Sequence, residues 1–317
     1  MLKKLIEEIR NFEGIKRKSN IKIAIDILKN VQNFGKVVVG IGDDAAVLRK
    51  NEGYLLFSVD GVLPSLAREE PYAAGKASVM VNVNDIYAMG GRPLAMVNVI
   101  ASRNTEKISE ILKGIVKGFE KFRVPMVGGH IHPDAQEDSL VVSIVGTAKN
   151  LLLSSNAKPG DKLIFAVDLD GRAGCKTVKS WDSTSGKTSE TVLERLEIFC
   201  DIAENGLCEA AKDVSMGGIL GTIGMLLESS GQGADIFLDD IPKPDELTIN
   251  EWLEVFMSYG FILSVDSKYV EAVVDKFQKK KIIAAVIGEV KKGKIIEVIS
   301  GKEREVFFDF NKEAIVG

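Results

Sequence analysis

The sequence predicts an α+β protein built from two two-layer α/β-sandwich domains. Three observations carry this. The chain has 317 residues, enough for two domains at about 100 to 200 residues each. Hydrophobic residues make up 45% of it, sufficient to fill two cores. Segments that read as strands and as helices do not alternate in the regular order of a doubly wound parallel sheet, so the two kinds segregate into layers. Turn chemistry at Lys158-Pro159-Gly160-Asp161 marks the junction and divides the chain into 1–152 and 153–317.

Residues 1–10 read as a short amphipathic helix, with Leu2, Leu5, Ile6 and Ile9 on one side. Four runs, 37–41, 54–59, 94–100 and 140–145, are rich in branched apolar residues and bounded by Gly, Asp or Ser, which predicts strands. Pro71 suits the first turn of a helix, and Gly90 and Gly91 suit its exit. A second helix follows from Ile108, Ile111, Leu112, Ile115, Phe119 and Phe122 behind a cap at Asn104 or Thr105. Beyond the junction the pattern gives a strand from Leu163 to Val167, a helix over 190–205, a glycine-opened helix over 217–229 and a strand over 234–238.

Composition narrows the function. A formal net charge of -4 with both signs interspersed gives no basic footprint for nucleic acid. Cys175, Cys200 and Cys208 form no Cys-x-x-Cys pair, so neither a disulfide framework nor a zinc knuckle is indicated, and a reducing, cytoplasmic setting fits. Residues 1–10 lack a signal peptide's apolar centre, and no apolar run is long enough to span a bilayer. No membrane partner is expected.

The chemistry concentrates in carboxylates. Gly40-Ile41-Gly42-Asp43-Asp44-Ala45-Ala46-Val47 sets two adjacent aspartates behind a glycine turn in a strand-like apolar run. Neighbouring like charges in a partly buried place repel and lose hydration, so a hard cation or a polar network must compensate them. Magnesium suits such oxygen ligands and leaves room for water and phosphates; the alternative is a solvated Gly-Asp turn. In a regular strand Asp43 and Asp44 face opposite sides, so one would touch metal and the other orient it. Asp85 lies near the end of the apolar helix and Asp213 precedes Gly217 and Gly218. Local helix capping is the competing reading of both.

Taken in order, Gly42-Asp43-Asp44-Ala45-Ala46-Val47, Ser58-Val59-Asp60, Asn82-x-x-Asp85-Ile86-x-Ala88-Met89-Gly90-Gly91-x-Pro93, Gly128-Gly129-His130 and Asp213-Val214-Ser215 resemble the superfamily of aminoimidazole ribonucleotide (AIR) synthase. Thiamine-monophosphate kinase, selenophosphate synthetase and a hydrogenase maturation factor also belong to it. The resemblance spans nearly the whole chain and implies PurM-like N-terminal and C-terminal domains, ATP and Mg2+ as cofactors, and a homodimer formed through the first domain's sheet. It implies that Asp43 or Asp44, Asp85 and Asp213 bind magnesium, with Asp60 a further candidate. Lys76, shortly before the Asn82 phrase, either meets ATP phosphates or is a solvated surface lysine, and Asn82, three residues from Asp85, shares its helical face at the nucleotide. The resemblance also points to Gly128 and Gly129 at the nucleotide, and to Asp43, Asp44 and His130 in catalysis. The basic cluster Lys16, Arg17 and Lys18 is either a phosphate clamp or a charged surface turn.

Two other motifs need weighing. Ser185-Gly186-Lys187-Thr188 ends like a Walker A loop, but Trp181 stands where the leading glycine is required, which leaves a polar loop over 171–189. His130, His132 and Asp134 share a face if their segment is extended, as a transition-metal or acid/base constellation would. Within the superfamily, the N-terminal segment lacks the reactive cysteine of selenophosphate synthetase, and the chain ends Ala-Ile-Val-Gly without the maturation factor's cysteine. His130 and Met216 replace residues usual in thiamine-monophosphate kinase, and AIR synthase's Gly-Gly-Glu-Thr phrase is missing. The form Gly-Gly-His-x-His-Pro-Asp is similar to a poorly characterised AIR synthase-related branch that includes a methanogenesis-marker group. The expectation is an ATP- and magnesium-dependent enzyme that phosphorylates or activates a small molecule. Thiamine-monophosphate kinase is one alternative, and a nucleotide-binding regulatory or assembly protein without turnover is another.

Overall fold

A computed structural model describes residues 1–28, 31 and 36–316. Three helices lead the chain: α1 (Leu2–Arg10), α2 (Glu13–Lys18) and α3 (Ile21–Leu28). The first sheet follows, from β1 (Val37–Val39), β2 (Ala46–Arg49), β3 (Tyr54–Gly61), β4 (Arg92–Ala101), β5 (Met126–His132) and β6 (Ser139–Ala148), in the order β1-β2-β3-β6-β4-β5. Among the described strands of this sheet only β4 and β5 pair parallel. The strand expected over 37–41 stops at Val39, where the chain turns toward Gly42, and the other three expected here extend past their sequence limits.

Alternation along these strands separates two faces. Leu56, Met96, Val142 and Ile144 point into the core, while Phe57, Val59, Val97 and Val99 point out. The buried face is covered by α5 (Pro71–Ala88) and α6 (Thr105–Phe122), which follow the short α4 (Pro64–Glu69). Pro71 opens α5 as expected. Asn104 caps α6, its side-chain oxygen accepting from the backbone N–H groups of Glu106 at 2.9 Å and Lys107 at 3.1 Å. The two helices cross closely at glycines. A Cβ on Gly75 would lie 2.1 Å from the Ile111 carbonyl oxygen, and one on Gly114 would lie 2.1 Å from that of Tyr72.

The second sheet is built from β7 (Lys162–Val167), β10 (Ala210–Asp213), β11 (Gly233–Phe237), β12 (Gly260–Val265), β13 (Ile283–Lys291), β14 (Ile295–Ser300) and β15 (Glu303–Asp309), in the order β10-β12-β7-β13-β11-β14-β15. A small ribbon of β8 (Arg172–Ala173) and β9 (Trp181–Asp182) lies in the 171–189 loop. Strands β7 and β12 are buried along nearly their whole length because both faces of this sheet are covered. On one face pack α7 (Ser189–Glu204) and α10 (Val270–Lys279), in a core that continues into the first domain. On the other pack α8 (Gly218–Ser230) and α9 (Ile249–Leu253), joined by Leu2, Ile6 and Ile9 of α1. The amphipathic start of the chain thus seals the second sheet, although the sequence division groups it with the first. No described helix is long and apolar enough to cross a membrane.

Candidate active site

The two sheets meet along a cavity of about 540 Å³, within the range of small-molecule sites. Asp43, Asp44, Asp60, Asp85 and Asp213 all lie on its wall. They come from four places: the turn before β2, the end of β3, the last turns of α5 and the end of β10. Gly42, at φ +127°, permits the turn that sends the two adjacent aspartates in different directions, because a side chain is rarely tolerated there. Asp43 points to Ser154, accepting from its N–H at 2.9 Å and its hydroxyl at 2.7 Å. Asp44 turns instead toward the second domain, where it meets the Lys212 ammonium and accepts from the Asp213 N–H at 3.3 Å.

Asp44, Asp85 and Asp213 each offer a carboxylate oxygen, and these oxygens lie within 4.8 Å of one another. Three convergent hard oxygen ligands with open space beside them fit magnesium. Neither local capping role explains them. Asp85 is buried with its carboxylate accepting from the Ser58 hydroxyl, and the α8 N-cap is Gly217, leaving Asp213 inside the site.

The electrostatics follow from this crowding. Burial, then the neighbouring Asp44 charge, pushes Asp213 up to about 7. Burial and the nearby Asp60, Asp213 and Asp44 raise Asp85 well above the ordinary carboxylate range. Asp43 and Asp60 are also raised by burial. For Lys212 burial favours the neutral form, but Asp44, Asp43 and Asp213 outweigh it and hold the ammonium charged. Of the basic cluster, Lys18 lines the cavity, and burial together with Lys212 lowers its proton affinity.

Other expected site residues lie elsewhere in the chain. Lys76 leaves the cavity wall and bonds Asp182 at 3.0 Å and the Ser185 hydroxyl. Asn82 is buried in α5, donating to the Ser78 carbonyl at 2.9 Å, and its side-chain oxygen lacks a partner. Gly128, Gly129 and His130 lie on the edge strand β5, where His130 stands opposite Val99 on the open face. His130 and His132 approach to 4.4 Å between ring centroids, while Asp134 lies beyond the strand. In the 171–189 loop, Lys187 is bound to Asp168 at 2.9 Å, so the Walker-like tail presents no free lysine. Sequence reasoning missed Ser154 and Lys212, and it placed Ser58 in a motif without seeing that its hydroxyl binds Asp85. For Lys212 a signal existed, a lysine between Ala210-Ala211 and Asp213-Val214 in an otherwise buried strand.

Comparison with known proteins places the chain. Residues 42–149 match AIR synthase related protein, N-terminal domain, and residues 158–301 match AIR synthase related protein, C-terminal domain. The chain belongs to the AIR synthase related family. An uncharacterised protein of Methanocaldococcus jannaschii is 41% identical over 321 residues, covering 100% of this chain and 99% of that one. Another, from Synechocystis sp., is 38% identical over 317 residues, covering 100% and 98%. Among solved structures, Thermotoga maritima PurL complexed with ATP aligns with a TM-score of 0.73 at 21% identity, covering 87% of this chain and 47% of that one. A ThiL protein complexed with AMPPCP and TMP aligns with a TM-score of 0.70 at 18% identity, covering 92% and 98%. At these identities the likeness to the solved structures is one of fold.

Proposed function

We propose that the chain is an ATP- and magnesium-dependent enzyme that phosphorylates or otherwise activates a small molecule in the cavity between its sheets. The observation that carries this is the convergence of Asp44, Asp85 and Asp213 from three separate elements onto one wall of a 540 Å³ cavity. In this reading those three residues hold magnesium, Asp60 stands beside them, and Asp43 fixes the turn through Ser154. A bound magnesium neutralises phosphate charge and aligns attacking and leaving groups. The chain's own part is to orient: Ser58 aims Asp85, Ser154 aims the Asp43–Asp44 turn, and Lys18 and Lys212 supply positive charge on the cavity wall. PurL with ATP and ThiL with AMPPCP support the nucleotide.

Phosphorylation of thiamine monophosphate is a second reading, favoured by the fold-level match to ThiL with TMP over 98% of that chain. A nucleotide-binding protein without turnover is the third. We further propose a cytoplasmic homodimer paired through the first sheet, with His130 on the pairing face. Calorimetry of ATP binding with and without magnesium, followed by ATP consumption across a metabolite panel that includes thiamine monophosphate, separates the three. Consumption that depends on one metabolite supports the enzyme, and consumption with thiamine monophosphate selects the kinase. Tight binding without consumption supports the third reading, and absence of magnesium-dependent binding sinks all of them.

A further inference from the structure

Lys212 is a lysine in a buried strand, and its placement is specific. Its ammonium contacts Asp44 and lies 4.0 Å from Asp43 Oδ1, with 7% of the side chain exposed. Lys212 comes from the second domain and both aspartates from the first, so domain packing delivers the charge. Five carboxylates line this wall, yet the three oxygens that converge belong to Asp44, Asp85 and Asp213. The ammonium sits on Asp44 and within reach of Asp43. A divalent ion bridging Asp43 and Asp44 would need that same space. It would also stand against a like charge in a site screened from water, where repulsion is strong.

We propose that Lys212 is a resident cation that limits the site to a single divalent ion, held on Asp44, Asp85 and Asp213. A phosphate entering the cavity then meets one exchangeable metal and one fixed ammonium, a compact point charge with three donors. This rests on the reading of the three aspartates as metal ligands.

Manganese titration of the full chain without nucleotide tests it, following loss of the free-ion electron paramagnetic resonance signal. Wild type should bind one ion per chain, and Lys212→Arg, which keeps the charge, should also bind one. Lys212→Met should bind two, with the spin-coupled spectrum of a close manganese pair. Two ions in wild type, or one in a Lys212→Met variant that circular dichroism shows to be folded, overturns the inference and leaves the metal site standing. Where Lys212→Met does not fold, the other two proteins decide: one ion in each supports the inference, and two in either overturns it. A wild type that binds no manganese overturns the metal reading along with it.

Discussion

Asp213 shows how one residue couples pH to the whole site. Its folded value of about 7 stands above the ordinary carboxylate range. Between about pH 4 and 7 the folded state therefore keeps a proton that the unfolded state has released. The resulting stabilisation is complete below the unfolded value and is lost as pH rises through the folded one. Metal-free protein should thus melt at a lower temperature at about pH 8 than at about pH 5, and magnesium should recover more stability at the higher pH, where it binds the ionised form. Scanning calorimetry of wild type and Asp213→Asn checks this; equal pH slopes in the two proteins would remove Asp213 as the cause. Asp85→Asn keeps shape while deleting one ligand charge, so magnesium-dependent ATP affinity should fall at least tenfold, or about 1.4 kcal/mol. Folding should survive, because the amide keeps the shape of the carboxyl group and adds no buried charge. Isothermal titration with and without magnesium decides, and unchanged affinity takes Asp85 out of the site. The aspartates were legible in sequence because charge in apolar runs stands out locally. Lys212 and Ser154 were harder, since their partners lie 168 and 111 residues away. Lys76 was misleading for the same reason: its partner Asp182 is 106 residues distant.

Helix α5 is the element on which the site depends, because it carries Asp85 and packs on both sides. Its crossing with α6 is set by Gly75 and Gly114, each facing backbone at a distance that excludes a methyl group. Gly114→Ala should therefore force the helices apart, destabilise the fold by about 1–3 kcal/mol and weaken metal binding by moving Asp85. Asn104→Ala, at the α6 cap, should cost about 1 kcal/mol with metal affinity unchanged. Denaturant unfolding and manganese titration of both variants check the pair; intact metal affinity in Gly114→Ala would mean that the crossing does not position the site. Such elements were readable because capping, proline and apolar spacing are local signals. The Asn104 cap, the Pro71 start and the period of α6 all lie within a few residues of what they govern. The order of strands across each sheet was not readable in this way. The burial of α1 against the second sheet was also hidden, since an amphipathic face does not name its partner.

At the scale of the whole molecule, the first sheet is covered on one side only among the described residues. Its other face presents Phe57 and Val59 of β3 beside Val97 and Val99 of β4, and Val59 is 62% exposed while Val97 is 44% exposed. Strand β6 lies between them and presents Val141, Ser143 and Val145, in register with these residues. Apolar side chains that repeat along neighbouring strands form a continuous patch, and such patches on soluble chains mark association surfaces. The second sheet instead carries helices against both of its sides. Pairing of two first sheets across a two-fold axis satisfies the patch with one self-complementary contact, as isologous dimers do. Light scattering at micromolar concentration should give twice the chain mass, and Val97→Lys should give the single mass. Val97 does not line the cavity, so the variant's fold, read by circular dichroism, should persist. A wild type that runs as a clean monomer would exclude this dimer, and a dimer undisturbed by Val97→Lys would move the contact to another face.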